Sequence, residues 1–290
     1  MISLRWRIGA VIAPFIFYLV FFLAPLGLAL VESLRTYVAG AIGSSADAPF
    51  TLQNYKALIA PVYFGYLGDT FRLSLIATAA VLVLSYPLAH YLARMPSGLW
   101  RKMLVVGLVL MLFMSTLVKV YALAISFGPT GFGRPLANLL GTYPNSRLMS
   151  EIFVVVGLFN FLFPIATLMQ VGTIQNVNPR FLEAALALGA NRLTGHLKVV
   201  LPQCLDGLIS AFLVVYTLAI SAFVIPMILG RGQITFITNL IYTRFSELAN
   251  YPSGAALSVL MLLVSLTMVF LISNMLSRLV SRRFNTVKSS

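Results

Sequence analysis

The sequence predicts an all-α fold: a polytopic membrane protein with six transmembrane helices. Of the 290 residues, 60% are hydrophobic and only 9% are charged, whereas about 25% of the residues of a typical soluble domain are charged. Six apolar stretches reach the length of about 20 residues that a helix needs to cross about 30 Å of hydrocarbon. Helices are required because each backbone amide in lipid must find its partner inside the segment. Residues 1–290 are therefore expected to form a single transmembrane domain.

The six predicted spans alternate with polar segments along the chain. They cover about residues 8–31, 73–93, 103–127, 152–174, 207–229 and 255–276. The first span follows Arg5 and Arg7, and in this respect it resembles a secretory signal peptide. Its 24 uncharged residues exceed the apolar core of about 7–15 residues in such a peptide, and no convincing cleavage site follows. We therefore expect the first span to be retained as a helix.

The distribution of basic residues predicts the orientation. An even number of spans puts both termini on one side of the membrane, and Lys and Arg concentrate on the cytoplasmic side. With the N-terminus inside, twelve basic residues flank the inner ends of the spans, seven flank the outer ends, and Lys119 lies within the third span. Both termini are thus predicted to be cytoplasmic. Because this asymmetry explains most of the net charge of +13, nucleic acid is not expected as a partner.

The polar segments between the spans are of unequal length. The outer ones are predicted at residues 32–72, 128–151 and 230–254. A short helix is expected in the first of them, near Leu52 to Ile59. Inside, a tight basic turn is predicted from Arg94 to Lys102, and residues 172–206 form the one long cytoplasmic loop.

A short amphipathic helix is predicted within this cytoplasmic loop. Asn178 and Pro179 are typical of a helix start, because Asn caps free amides and Pro suits the first turn. Gly189 is typical of the residue that ends a helix. The intervening sequence puts an apolar stripe on the helix, formed by Phe181, Leu182, Ala185 and Leu188. Such a helix can lie on the membrane surface, pack against its own bundle or bind a partner's groove, and the stripe alone favours its own bundle.

The same loop carries a spaced motif. Glu183-Ala184-Ala185, three residues, Gly189, nine residues, Val199, one residue and Leu201-Pro202 follow one another in this order. This run resembles the EAA loop of ABC importer permeases, EAA-x3-G-x9-I-x-LP, with Val in place of Ile. The resemblance implies a type I ABC importer permease fold in which the loop seats in a cleft of a cytoplasmic ATPase. It implies an ATPase-coupling role for Glu183, Ala184, Ala185, Gly189, Leu201 and Pro202. We call residues 172–206 the coupling loop.

Further segments are similar to one group within that family. The run STLVKVYA at Ser115 to Ala122 and the run SAFVIPMILG from Ser221 resemble spermidine/putrescine-type permeases. At position 119 that group more often has Arg. Lys119 keeps the positive charge but lacks the planar guanidinium group. The resemblance covers most of residues 110–276 and implies a bacterial inner-membrane protein. Its implied partners are a second homologous permease, two cytoplasmic ATPase subunits, a periplasmic substrate-binding protein and membrane lipids.

The chain is not expected to be an enzyme. It contains no Gly-Lys dipeptide, so a phosphate-binding P-loop is excluded, and ATP with Mg is expected in the partner ATPase. No cofactor and no metal are expected in this chain. His90 and His196 lie far apart in sequence, without Cys or acid at ligand spacing, and both are expected to be solvated or interfacial.

Candidates for the transport path are polar or aromatic residues within the spans. They are Lys119, Tyr121, Asn160, Tyr216 and Ser221. For Lys119, an interfacial anchor about 24 Å along the third span and a structural bond to a carbonyl or to Glu151 remain alternatives. Asn160 and Ser221 more often form hydrogen bonds between helices, and tyrosines near span ends are usually interfacial.

Other functions remain open at this point. The solute can instead be an opine, a phosphonate, sulfate or iron, because the binding protein largely selects it in this family. An ion-coupled carrier is disfavoured because no carboxylate lies within a predicted span. An intramembrane serine protease is disfavoured because Ser253-Gly254 lacks the expected nucleophile turn.

Overall fold

Helices dominate the computed structural model. It describes residues 14–38, 40, 43–44, 48–128 and 131–288. Within these ranges the regular secondary structure is helical, and the one β-type pairing is an isolated bridge between Arg35 and Phe50. The all-α prediction is confirmed. The first six residues of the first predicted span, 8–13, lie outside the described residues.

The helices differ widely in length. In chain order they are α1 Pro14–Ser33, α2 Gln53–Ala57, α3 Pro61–Arg94, α4 Leu99–Phe113, α5 Thr116–Ser126, α6 Gly133–Leu139, α7 Arg147–Gln175, α8 Arg180–Ala187, α9 Arg192–Gln203, α10 Leu205–Ser221, α11 Val224–Leu229, α12 Ile237–Tyr242 and α13 Tyr251–Lys288. Short π-helical stretches occur in α1 and α9 and directly after α12. The helix expected near residues 52–59 corresponds to α2.

Four of these helices are long and apolar enough to cross a membrane unaided. They are α1, α3, α7 and the segment Tyr251–Met275 of α13. The number rises to six if α4 with α5, and α9 with α10, each count as one bent span. Six spans therefore agree with the structure only when two of them are broken.

The third predicted span, residues 103–127, is not one continuous helix. It is divided into α4 and α5 by a bend of 93° at Met114 and Ser115. Both residues have extended backbone, with ψ of 130° and 129°, which ends the i to i−4 hydrogen bonds of α4. Neither proline nor glycine marks the break, so the prediction of an unbroken helix was wrong.

The fifth predicted span, residues 207–229, is also broken. Extended backbone at Ala222 ends α10, and Pro226 lies inside the short α11 rather than at the break. At the other end, α9 and α10 meet at Cys204 with a bend of 73°. Pro202 lies within α9, two residues before this bend. Pro164 lies inside α7, which continues through it.

Two of the long helices begin earlier than the predicted spans. α3 starts twelve residues before residue 73 and carries Asp69, while α7 starts five residues before residue 152 and carries Glu151. The outer polar segments are correspondingly shorter than predicted.

The described chain divides into two compact units. One contains the residues up to Gly65 together with Ile237–Val264, and the other contains Tyr66–Phe236 with the remainder of α13. The core of the first unit is built from Leu58, Ala256 and Leu257.

The core of the larger unit is a packed cluster centred on α7. Its fully buried members include Phe153, Leu158 and Leu162 of α7 and Val215 of α10. Gln170 of α7 is fully buried, and its amide donates to Leu82 O of α3 at 2.9 Å. Because a buried amide without partners is costly, this bond fixes how α3 and α7 pack together.

Candidate functional site

The short helix α8 has the boundaries that the local sequence predicts. The Arg180 amide, the first of the helix, donates to Asn178 Oδ1 at 3.0 Å, and Pro179 is the residue directly before the helix. After Leu188 the chain turns at Gly189, whose φ is +86°. This left-handed conformation is strained for residues with a Cβ, which explains why glycine ends the helix here.

The faces of α8 differ in burial. Leu182 points inward and packs against the cluster that contains Val177, Val200 and Cys204. Gly195 of α9 allows this contact, since a Cβ at that position would lie 2.8 Å from Leu182 Cδ1. Phe181 is exposed and Leu188 is 89% exposed. The predicted apolar stripe is thus divided: part of it packs on the chain's own bundle and part faces outward.

The outward face of α8 carries the first half of the spaced motif. Glu183 and Ala184 are exposed, whereas Ala185 is half-buried. The Glu183 carboxylate forms no salt bridge with any other residue in the described ranges. Leu201 and Pro202, by contrast, are half-buried in α9 beside the bend at Cys204. The motif therefore combines an exposed carboxylate on α8 with half-buried residues in α9.

The coupling loop rests on the ends of two long helices. Arg94, the last residue of α3, donates to Val177 O at 2.8 Å. Ala89 of α3 and Ile174 of α7 are fully buried in the same cluster as Cys204. Leu182 of α8 thus shares one packed cluster with the ends of α3 and α7 and with Val200 of α9.

The two histidines lie beside each other. The ring centroids of His90 on α3 and His196 on α9 are 4.1 Å apart, with the planes at 77°. They lie far apart in the sequence and meet because α9 folds back onto the end of α3; both residues are half-buried. His90 Nδ1 is buried and has no hydrogen-bond partner in the described chain. The described residues contain no group of three or more His, Cys, Asp or Glu that could hold a metal ion.

A cluster of four charged residues joins the other ends of α3 and α7. Arg147 contacts both carboxylate oxygens of Asp69, at 2.8 and 2.7 Å. Arg72 pairs with Glu151 at 2.5 Å, and Arg147 Nε lies 3.4 Å from Glu151. All four residues belong to the predicted outer segments, 32–72 and 128–151, where they were expected only as separate charges beside the spans. Their opposite signs in these two segments were the available signal.

Lys119 is buried rather than interfacial. Its side chain belongs to α5, the residue is 8% exposed, and Nζ donates to Met111 O at 3.0 Å. Met111 belongs to the last turn of α4, where carbonyls lack intrahelical donors. The ammonium also lies 5.7 Å from the ring centroid of Phe161 on α7. The prediction that Lys119 lies about 24 Å along one straight helix was wrong, because the span bends at Met114 and Ser115. Glu151 does not bind Lys119 either, since its carboxylate pairs with Arg72. The carbonyl bond was one of the alternatives for Lys119.

The other path candidates have different environments. Tyr216 is only 2% exposed, whereas Tyr121 on α5 is largely exposed. Asn160 of α7 is half-buried, and its Oδ1 has no hydrogen-bond partner in the described ranges. Ser221 is exposed, and its hydroxyl donates to Thr217 O of its own helix at 2.8 Å. In the described residues, no hydrogen bond joins one of the five path candidates to another.

Comparisons with known proteins agree with this architecture. The family model described as binding-protein-dependent transport system inner membrane component matches residues 82–286. The spermidine/putrescine transport system permease protein PotB of Escherichia coli (strain K12) is 30% identical over 81% of this chain and 85% of its own length. The sulfate transport system permease protein CysT of Salmonella typhimurium is 30% identical over 44% of this chain and 46% of its own.

A solved structure shares the fold. A chain of a bacterial ABC transporter involved in the import of the acidic polysaccharide alginate superposes with a TM-score of 0.71 at 15% identity. The superposition covers 94% of this chain and 96% of that one. The family model, the permease relatives and the shared fold lead to one conclusion. This chain belongs to the family of binding-protein-dependent transport system inner membrane components and is a multi-pass permease of an ABC importer.

Proposed function

We propose that this chain is a permease subunit of an ATP-driven importer of polyamines such as spermidine and putrescine. The observation that carries the proposal is the 30% identity to a spermidine/putrescine permease over 81% of the chain. Both termini are assigned to the cytoplasm on the charge asymmetry of the flanking residues. A second homologous permease, two ATPase subunits and a periplasmic binding protein complete the assembly.

The exposed face of α8 is proposed to bind the ATPase. Its carboxylate at Glu183 is free of salt bridges in the described chain, and the small Ala184 allows a partner to approach closely. Gly189 lets the chain turn directly after the helix. Nothing in this chain binds nucleotide in this proposal, so that ATP and Mg act in the partner subunit. Closure of the ATPase pushes α8, and the packed ends of α3, α7 and α9 carry the displacement into the membrane helices.

The coupling role is tested by substitutions on α8 in the complete transporter. Glu183→Arg reverses the exposed charge, and Gly189→Asp puts a charged side chain at a φ of +86°, where residues with a Cβ are strained. We expect each to abolish uptake and stimulated ATP hydrolysis while the subunit remains in the membrane. Glu247→Arg, which reverses another exposed carboxylate outside the coupling loop, is the matched control. Normal uptake by Glu183→Arg would exclude the coupling role.

The solute is tested separately. Sulfate is the second candidate, because the sulfate permease CysT is 30% identical over 131 residues. We expect the binding protein encoded with this chain to bind spermidine or putrescine, and the reconstituted transporter to take up the same solute only with ATP. Binding and uptake of sulfate alone would replace the polyamine proposal. Uptake by this chain alone, without ATP, would instead indicate an ion-coupled carrier.

A further inference from the structure

A cavity of about 640 Å³ opens beside the coupling loop, at the bend between α9 and α10. α7 contributes Thr173, the residue after α7 is Asn176, α8 contributes Phe181, and α9 contributes Gln203. None of the described residues that line it is charged. The cavity thus presents amide and hydroxyl oxygens together with one aromatic ring.

The face of α10 that begins beside the cavity carries hydroxyl side chains. Gly207 lines the cavity, and Ser210, Thr217 and Ser221 follow it at helical spacing on the same side of the helix. All three hydroxyl residues are exposed, whereas the opposite side carries fully buried residues such as Val215. The other exposed residues of α10 are Asp206 and Val214, and Val214 lies between Ser210 and Thr217 on this face. We call Ser210, Thr217 and Ser221 the hydroxyl track.

The hydroxyls of the track act as acceptors. Each donates its proton to a carbonyl of α10 itself: Ser210 to Asp206 at 3.0 Å, Thr217 to Leu213 at 2.7 Å, and Ser221 to Thr217 at 2.8 Å. The oxygen lone pairs that remain can only accept a hydrogen bond. A solute that moves along this face therefore needs donors.

An alkylammonium group fits these requirements. It has three donors and no acceptor, it is attracted to an aromatic ring such as that of Phe181, and it meets no basic residue on α10. The exposed carboxylate of Asp206 stands where the track meets the cavity. An anion such as sulfate would find acceptors and a negative charge there instead.

From this arrangement we propose that the hydroxyl track and the adjoining cavity form the inner half of the route along which an alkylammonium solute leaves the transporter. The inference rests on the proposed polyamine function and adds the residues that recognise the solute. Because Phe181 of α8 lines the cavity, movement of α8 with the ATPase changes the width of the exit.

Access of water to the track is tested by thiol labelling in the assembled transporter. Cys204, the single native cysteine, is first replaced by alanine, and Ser210→Cys and Thr217→Cys are introduced one at a time. A charged thiosulfonate reagent reacts with the thiolate, which forms in water and not in lipid. We expect both cysteines to react from the ATPase side, and spermidine to slow the reaction. Leu110→Cys, on an exposed apolar part of α4, is the control and reacts slowly. Labelling of the track no faster than of the control would overturn the proposal.

Uptake tests the recognition itself. The double variant Thr217→Val with Ser221→Ala removes two acceptors and should lower spermidine uptake per ATP by about ten-fold, since hydrogen bonds to charged groups are the stronger ones. Thr167→Val, which removes a buried hydroxyl bonded in the same way to Phe163 O on α7, should leave uptake nearly unchanged. If the double variant takes up spermidine as fast as the unsubstituted transporter, and its ATPase is stimulated normally, the proposed route is wrong and the polyamine function is unaffected. Absence of stimulation by spermidine-loaded binding protein in the unsubstituted transporter overturns the polyamine function.

Discussion

Gly157 on α7 is the position where a single added methyl group should be most informative. A Cβ at this residue would lie 2.5 Å from Leu229 Cδ1 and 2.8 Å from Ile225 Cγ2 of α11. Both neighbours are only 1% exposed, so neither can move without disturbing the core. Gly157 therefore sets how closely α11 approaches α7.

Two effects of Gly157→Ala oppose each other. Replacing glycine inside a helix by alanine stabilises it by about 0.5–1 kcal/mol, whereas overpacking a tight core costs about 1–3 kcal/mol. The net expectation is a loss of up to about 2.5 kcal/mol. Gly172→Ala lies in the same helix with no atom within 4 Å of the added Cβ, so only the stabilising effect should remain.

The comparison is made by titrating each purified variant with SDS in mixed micelles. Unfolding is followed by the reaction of a fluorescent thiol reagent with Cys204, which is the only cysteine and is fully buried. We expect Gly157→Ala to unfold at a lower SDS fraction than the unsubstituted protein, and Gly172→Ala at the same or a higher one. If Gly157→Ala proves as stable as Gly172→Ala, the steric reasoning is refuted.

Two further variants test polar contacts by the same titration. Arg147→Ala removes the paired contact with Asp69, and because the Arg147 side chain is 57% exposed the screened cost should be only about 1 kcal/mol. The loss of stability should be smaller at high salt. Arg134→Ala, at an exposed position, is the control. A loss that does not depend on salt would contradict the electrostatic explanation. Lys119→Met leaves the Met111 carbonyl without its donor and should cost about 1–3 kcal/mol. Lys102→Met, at an exposed position, should cost little, and equal stability of the two lysine variants would show that the carbonyl bond contributes nothing.

The elements that were predicted well depend on local or additive properties. The second, fourth and sixth spans correspond to α3, α7 and α13, because hydropathy summed over about 20 residues outweighs any single residue. The limits of α8 follow from Asn178 and Gly189, whose effects act on the nearest backbone groups.

The breaks in two of the spans could not be predicted from the local sequence. Apolar side chains are equally favourable in lipid on a straight helix and on a bent pair of helices. The hydropathy of the sequence therefore shows no change at Met114 or Ala222, where the helices end. At the first of these breaks, Lys119 donates to a carbonyl eight residues earlier, a contact that exists only once the chain has bent. A buried charge inside a span was the one sign of the break.

Sequence alone determined the fold class, the approximate spans and the coupling motif, since these follow from composition and from neighbours along the chain. Tertiary structure decided which charges pair and which faces remain exposed. Asp69 meets Arg147 across 78 positions, and His90 meets His196 although nothing local links them. The hydroxyl track could be identified only from the folded structure, because packing buries one side of α10 and leaves Ser210, Thr217 and Ser221 exposed. The burial of a residue depends on the whole folded chain and cannot be derived from one segment of the sequence.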